Sequence, residues 1–438
     1  MARLRASWPD AVVIGGGVVG LCVGLHLLRS GRTVALLERA QPGSGASGHN
    51  GGALSVGDCA PIAMPGAVRS IPRMLSDPLS PFALRWAYLP RAAPWLLRFL
   101  LASRTSRIEE ISRALNSLMM TSTGAYDSLL HDTEAASLLH EGGILYGYAS
   151  ETPTSQTQFG LDLRARRGCN VRVLDRDGIT RLDPSLGRLF GSGVYLPAAR
   201  FTKEPERFTR ALAAQFVREG GHLVHTEAIG FRHGGGRIEA VDTRAGTVAT
   251  ASVVIAAGAW SRPLVRRLGF AVPLDTERGY GMTLPQPNVE VPFPVISGDH
   301  HFAVAPDDAG LRIVGTVEFA GLKAPPNFAR CDRLERAART VFPDLSTVGS
   351  RRWMSYRPSM PDSLPVIGRS PNQENAYLAF GHGHKGLCQA AITGRLIREL
   401  MDGAEPVVDV TPFRPLRFSL YARRPPRAVG DRTAAQRT

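Results

Sequence analysis

The sequence predicts an α/β protein, a parallel-sheet unit interleaved with an antiparallel α+β region, and three of its features carry that prediction. Near the start, a short apolar run enters a glycine cluster, continues at helical spacing and meets a second apolar run. Residues 270 to 320 alternate between apolar and polar in the manner of antiparallel strands. Near the end, helical spacing returns directly after a glycine-rich loop.

Taken in order, Asp10 to Ile14 reads as a buried strand, Val18 to Leu28 as a helix, and Thr33 to Leu37 as a strand ending in Glu38. Strand, glycine turn, helix and strand make a right-handed βαβ unit. Residues 82 to 140 read as mainly helical, with Ile108, Ile111, Leu115 and Leu118 on one face. A helix from Pro205 to Glu219 follows, with strands near His222 to Val224, Val253 to Ala256, His301 to Val304 and Leu311 to Gly315. The last helix runs from Gly386 to Met401, with Leu387, Ala390, Ala391, Gly394, Ile397 and Met401 on one face. Residues 10–80, 160–265 and 352–412 are assigned to one discontinuous domain, and 81–159 and 266–351 to a second. Residues 413–438 form a basic tail, expected to be disordered beyond Leu420.

A chain of 438 residues suits two domains or one large interleaved body. Its cysteines (Cys22, Cys59, Cys169, Cys331, Cys388) are odd in number, hold no CxxC pair and follow no secretory pattern, so reduced thiols in the cytoplasm are expected. The formal charge of +14 raises a polyanion-binding reading. Residues 414 to 438 hold seven arginines against Asp431, almost half of that excess. The only lysines are Lys203, Lys323 and Lys385, so the basic residues reflect coding bias as much as selection, and nucleic acid is not an expected partner. No metal is expected, because no histidine and cysteine set has ligand spacing. No GxSxG elbow marks a hydrolase. The segment Phe82 to Ala102 is interrupted by Arg85, Pro90, Arg91, Pro94 and Arg98, which forbids a bilayer span but allows a position on a membrane surface.

Gly15, Gly17 and Gly20 form GxGxxG between strand and helix, with Val18 and Val19 opening the helix. Gly15 permits the tight turn, Gly17 the approach of a pyrophosphate, and Gly20 close packing of helix on strand. The phosphates would meet the helix N-terminus. Glu38, with Arg39 beside it, is placed to accept from ribose hydroxyls. This Rossmann-type fingerprint alone does not separate FAD from NAD. Two further segments favour the longer cofactor: Gly43 to Leu54, with Ser47, His49, Asn50 and Gly51, and Ser252 to Ser261, with Ala257 and Gly258.

Together with RPSMPDSLPVIG (Arg357 to Gly368) and YLAFGHGHKGLCQAAITGRLI (Tyr377 to Ile397), these motifs resemble the D-amino-acid oxidase superfamily of FAD-dependent oxidoreductases. The likeness is greatest to bacterial D-amino-acid dehydrogenases and their glycine, sarcosine and hydroxyproline relatives, and it covers residues 10 to 412. The resemblance implies a Rossmann-type FAD-binding domain interleaved with an antiparallel-sheet α+β substrate domain. It also implies oxidative deamination of an amino acid, first of all a D-amino acid, D-hydroxyproline among them. Hydride would pass from the α-carbon to flavin N5, and the imine left behind would hydrolyse to a keto acid.

Carried onto this chain, Arg357 would hold the substrate carboxylate bidentately. The competing reading pairs Arg357 with the nearby Asp362. Gly383, His384, Lys385, Gly386 and Leu387 fall where relatives bring a helix N-terminus to the flavin pyrimidine ring, and Lys385 is the cation that would stabilise its reduced charge. A solvated cap is the alternative for Lys385, and a satisfied imidazole is the alternative for His382 and His384. Ala228 matches the residue against the adenine. His49 departs from the small or amide residue expected there and leaves a covalent flavin link open. Tyr280, His301 and Phe302 are candidates to line the substrate pocket or simply to pack, Tyr280 and His301 being carried as candidate catalytic residues. The expected acceptor is a quinone, and residues 82–102 read either as a peripheral contact at the inner face of the membrane that reaches it or as a helix packed on the substrate domain with its arginines solvated. The alternatives are a glycine- or sarcosine-type oxidase that uses oxygen and, from another class, a flavoprotein that binds RNA.

Overall fold

The computed structural model describes residues 8–65, 80–152 and 154–418. The tail beyond residue 418 and part of the first cofactor segment lie outside these.

The βαβ unit forms as its apolar pattern dictates: strand Ala11–Ile14, helix Val18–Arg29 and strand Val34–Glu38. It sits in a six-stranded sheet ordered His222–His225, Val34–Glu38, Ala11–Ile14, Ser252–Ile255, Ala376–Phe380 and Val366–Arg369. All neighbours are parallel except the last pair. Strands buried on both faces need apolar cover on both. One face carries the helices Val18–Arg29, Thr105–Leu130, Pro205–Arg218 and Gly386–Asp402 in a shared core. The other carries helix Ser261–Arg267 and the antiparallel strands Ala228–Gly234, Arg237–Thr243 and Gly246–Ala249.

The second body is a larger, mostly antiparallel sheet. Its order is Arg351–Ser359, Asp275–Leu284, Gly310–Phe319, Phe302–Asp307, Val295–Ser297, Ile144–Tyr148, Ser192–Leu196 and Arg172–Asp175, with Phe82–Leu84 alongside Gly310–Phe319. Interleaving is therefore as expected, but sheet membership draws the boundaries elsewhere. Residues 172–196 and 352–359, assigned to the cofactor domain, join the large sheet. Conversely, Thr105–Leu130 belongs with the cofactor half, because Ile111, Leu115 and Leu118 pack into its core.

Candidate active site

One cavity of about 820 Å³ runs between the two bodies, from Glu38 to Arg357 and Lys385. At its Glu38 end the backbone defines the shape. A Cβ on Gly20 would come within 1.9 Å of Gly15 O, so the helix starts pressed against the strand. Gly20 does this without lining the cavity, whereas Gly15, Gly17, Val18 and Val19 do line it. Glu38 Oε2 accepts the Gly16 N–H at 2.6 Å, and Oε1 accepts that of Ala40 at 2.9 Å. Ser47 Oγ accepts the N–H of Val18 at 2.9 Å. Asn50 braces its own loop, donating to Ala46 O at 3.0 Å and accepting from Gly52 N–H at 2.7 Å. His49 lines the same stretch with Gly51, its Nδ1 3.1 Å from Ser44 O. Ala228, Ala257 and Gly258 form the opposite wall, where the Arg39 guanidinium lies 3.7 Å from the centre of the Trp260 ring.

At the other end, strand Arg351–Ser359 sets Arg357 opposite Glu277, and the missing side chain of Gly279 makes room for its guanidinium, which a Cβ there would meet at 2.3 Å. A slip in register between Asp275–Leu284 and Gly310–Phe319 at Arg278/Tyr280, with Thr316 at φ +57, marks a bulge. The Thr316 carbonyl accepts from Arg357 Nη1 at 2.9 Å. The competing partner, Asp362, is instead gripped by Arg417 at 2.7 and 3.0 Å. Burial lowers the Arg357 pKa, and Glu277 acts in the opposite direction. Glu277 is buried with Oε2 lacking a hydrogen-bond partner among the described residues. Burial, against the pull of Arg357, pushes its pKa up to about 7.

Lys385 is neither a solvated cap nor a free cation. Its Nζ donates to the carbonyl and carboxylate of Asp58, both at 2.6 Å, and Arg164 grips the same carboxylate at 2.6 Å. These two cations hold the Asp58 carboxyl far below the usual range despite its burial. Tyr146 OH stands 3.4 Å from Asp58 Oδ2. His384 lines the cavity with Gly383, Gly386 and Leu387, its Nε2 3.7 Å from Glu277 Oε2, and desolvation within the cavity together with the nearby Arg357 lowers its pKa, although part of the ring stays exposed. His382 is a satisfied core imidazole, 3.0 Å from Thr393 Oγ1.

Tyr280 and His301 do not line the cavity. Tyr280 is fully buried on the far side of its strand, donating to Glu318 Oε2 at 2.5 Å and accepting from Asn327 N–H at 2.9 Å. His301 sits at a turn with φ +56, and the strand begins one residue later with Phe302, which packs in the core of the substrate body. Sequence reasoning missed Asp58, Tyr146, Arg164 and Glu277. None left a clear signal, for Glu277 follows Asp275 and Thr276 and precedes Arg278 in a polar run.

A profile of DAO, FAD dependent oxidoreductase, matches residues 10–400. The chain is 35% identical to a D-amino-acid oxidase of Bradyrhizobium diazoefficiens, covering 93% of this chain and 98% of that one. It is 31% identical to D-amino acid dehydrogenase 2 of Mesorhizobium japonicum, covering 91% and 97%. Among solved structures it resembles an L-proline dehydrogenase from P. horikoshii, with TM-score 0.71, 19% identity and 94% and 98% coverage. A glycine oxidase from Geobacillus kaustophilus gives TM-score 0.66, 22% identity and 93% and 98% coverage. A fold built to hold a dinucleotide between a parallel sheet and an antiparallel one, matched over nearly all its length, assigns the chain to the DAO family of FAD-dependent oxidoreductases.

Proposed function

We propose that this oxidoreductase deaminates an amino acid, a D-amino acid first of all, by taking hydride from the carbon that bears the nitrogen. One observation carries the reading: Arg357 presents a guanidinium at the end of the cofactor cavity with, among the described residues, a backbone carbonyl as its one close hydrogen-bond partner. A planar fork left this free suits a carboxylate.

The residues fit FAD. The Gly15 to Gly20 turn sets glycines rather than large side chains where a pyrophosphate would lie, and Glu38 would meet the ribose. When bound, the flavin supplies the two-electron acceptor. The chain's own part is to orient and to exclude water. Arg357 fixes the carboxylate and thereby the α-carbon. Ile144, Ile296, Ala303, Val314 and Met354 line the cavity with apolar groups, which favours an uncharged substrate side chain. The Lys385–Asp58–Arg164 cluster holds one net positive charge beside the helix Gly386–Asp402, a placement that favours negative charge developing there. No protein base is needed if the amine binds neutral.

A turnover screen with a dye acceptor over D- and L-amino acids, sarcosine and hydroxyproline isomers tests this. Turnover of D-amino acids is expected, and turnover confined to L-substrates or to non-carboxylate amines would overturn it. For the acceptor, we propose a quinone reached from a membrane surface. Helix Leu89–Ala102 buries Ala92, Trp95 and Ala102 while Leu97, Arg98, Leu101 and the preceding Trp86 stay exposed. Among the described residues no helix is long and apolar enough to cross a membrane. Fast reoxidation by a soluble quinone, and binding to anionic vesicles weakened by Arg91→Glu with Arg98→Glu, are expected. The name of the Bradyrhizobium relative favours a second reading, in which oxygen is the acceptor. Rapid stoichiometric hydrogen peroxide in air would decide for it.

A further inference from the structure

Behind the segment 259–263 lies a second cavity of about 460 Å³, separated from the first by a wall whose Ala259 and Pro263 face both. Its charges are lopsided: Arg85, Arg91, Arg262 and Lys323 stand against one carboxylate, Asp275. That carboxylate is already occupied. It accepts from Tyr88 OH at 2.9 and 3.0 Å and from the Thr276 N–H at 2.7 Å, with Arg262 Nη1 3.8 Å away. Arg85, Arg91 and Lys323 form no ion pair among the described residues.

Two polar atoms of the lining also lack hydrogen-bond partners there, Thr276 Oγ1 and Arg262 Nε, and Thr276 is only 2% exposed. A buried hydroxyl and a buried guanidinium N–H left unmatched cost free energy that a bound acceptor would recover. The frame is stiff as well. Fully buried Arg278 donates to Gly321 O and Ala324 O at 2.7 Å and to Pro325 O at 3.1 Å, pinning the loop that carries Lys323.

We infer that this cavity is a binding site for a compact oxyanion of the phosphate type, held by Arg85, Arg91, Arg262, Lys323 and Thr276. Gathered cations beside a low-dielectric wall focus a positive potential, and an anion with two negative charges relieves their mutual repulsion. Planar guanidinium groups match its oxygens bidentately. The group could be a free phosphate or a lipid phosphomonoester, since Trp86, 64% exposed, adjoins the opening residues Arg85 and Ala87. The site does not depend on the substrate reading.

The test uses FAD-loaded enzyme in phosphate-free buffer at low salt. Inorganic phosphate is titrated calorimetrically, and phosphatidylcholine vesicles with and without phosphatidic acid are used in co-sedimentation. Binding of phosphate, weakened about tenfold or more by Arg262→Gln and by Arg85→Gln with Lys323→Gln, is expected. If only the phosphatidic acid vesicles bind, with the same sensitivity, the source is a lipid headgroup and the site stands. Binding of neither probe, or binding indifferent to the exposed Arg85–Lys323 double variant, overturns the site; that variant decides if Arg262→Gln does not fold. Arg98→Glu, outside the cavity, is expected to leave phosphate binding unchanged, so failure of the membrane reading and failure of this site are separable.

Discussion

At the Glu38 end of the cofactor cavity the shape comes from backbone and from contacts between neighbouring segments, whereas at the Arg357 end it comes from side chains that only tertiary structure brings together. Glu38 reaches Gly16 and Ala40, and Ser47 reaches Val18. Lys385, by contrast, meets Asp58 across 327 positions of chain. At the first end the Glu38 carboxylate is met by N–H groups, and the glycines admit no added side chain. The second concentrates largely buried charge in which every member depends on a distant partner.

That contrast can be broken most sharply at Asp58. Asp58→Ala leaves Lys385 and Arg164 facing each other without their shared carboxylate, and a loss of about 3 kcal/mol or more is expected in urea unfolding. A loss below about 1 kcal/mol would mean that water already screens the cluster. Next in size, Arg357→Leu is expected to retain FAD while kcat/KM falls roughly 10²-fold, about 3 kcal/mol of transition-state binding. Arg357→Lys should recover only part, because a point charge lacks the fork. Loss of flavin in both variants would make Arg357 a structural residue.

The same contrast governs what could be read from the sequence. Gly15, Gly17, Gly20 and Glu38 were legible because turn, helix start and strand end are fixed by local rules and lie close in sequence. Lys385 and Arg357 were legible as candidates through resemblance, yet their surroundings were not. Nothing in the sequence ties Asp58 to Lys385, or Asp362 to Arg417 rather than Arg357. Tyr280 was misplaced for a physical reason: strand Asp275–Leu284 is buried along its whole length. Alternation separates its two faces, but it does not tell which one meets the cavity and which the core. The place of residues 172–196 in the large sheet is not legible because strand pairing is a long-range property that local patterning does not encode.

The cofactor end is expected to respond more gently. Glu38→Ala should lower FAD retention by about 1–2 kcal/mol with little loss of folded protein, since hydrogen-bond acceptors are lost and no core cavity opens. Flavin absorbance per protein after gel filtration reads this directly, and kcat of the remaining holoenzyme should be unchanged. Retention equal to wild type would remove Glu38 from the cofactor site.

The smallest expected effect is also the most specific to the substrate end, and it comes from Glu277. Its carboxyl is buried opposite Arg357, and its pKa is raised from the ordinary 4.5 to about 7. The folded state therefore binds a proton more tightly than the unfolded chain. The stability this provides is complete below about pH 4.5 and is lost as pH rises through about 7. Below pH 7 the acid is neutral and Arg357 keeps its full charge for a substrate carboxylate. Above it, the new anion competes for that charge, so KM is expected to rise by about tenfold between pH 6 and 8 while kcat changes little. Glu277→Gln fixes the neutral form and should flatten both KM and unfolding free energy across that window. A KM that still climbs in Glu277→Gln would assign the titration to a group other than Glu277, and a wild-type KM independent of pH would show that the Arg357 end is insulated from Glu277.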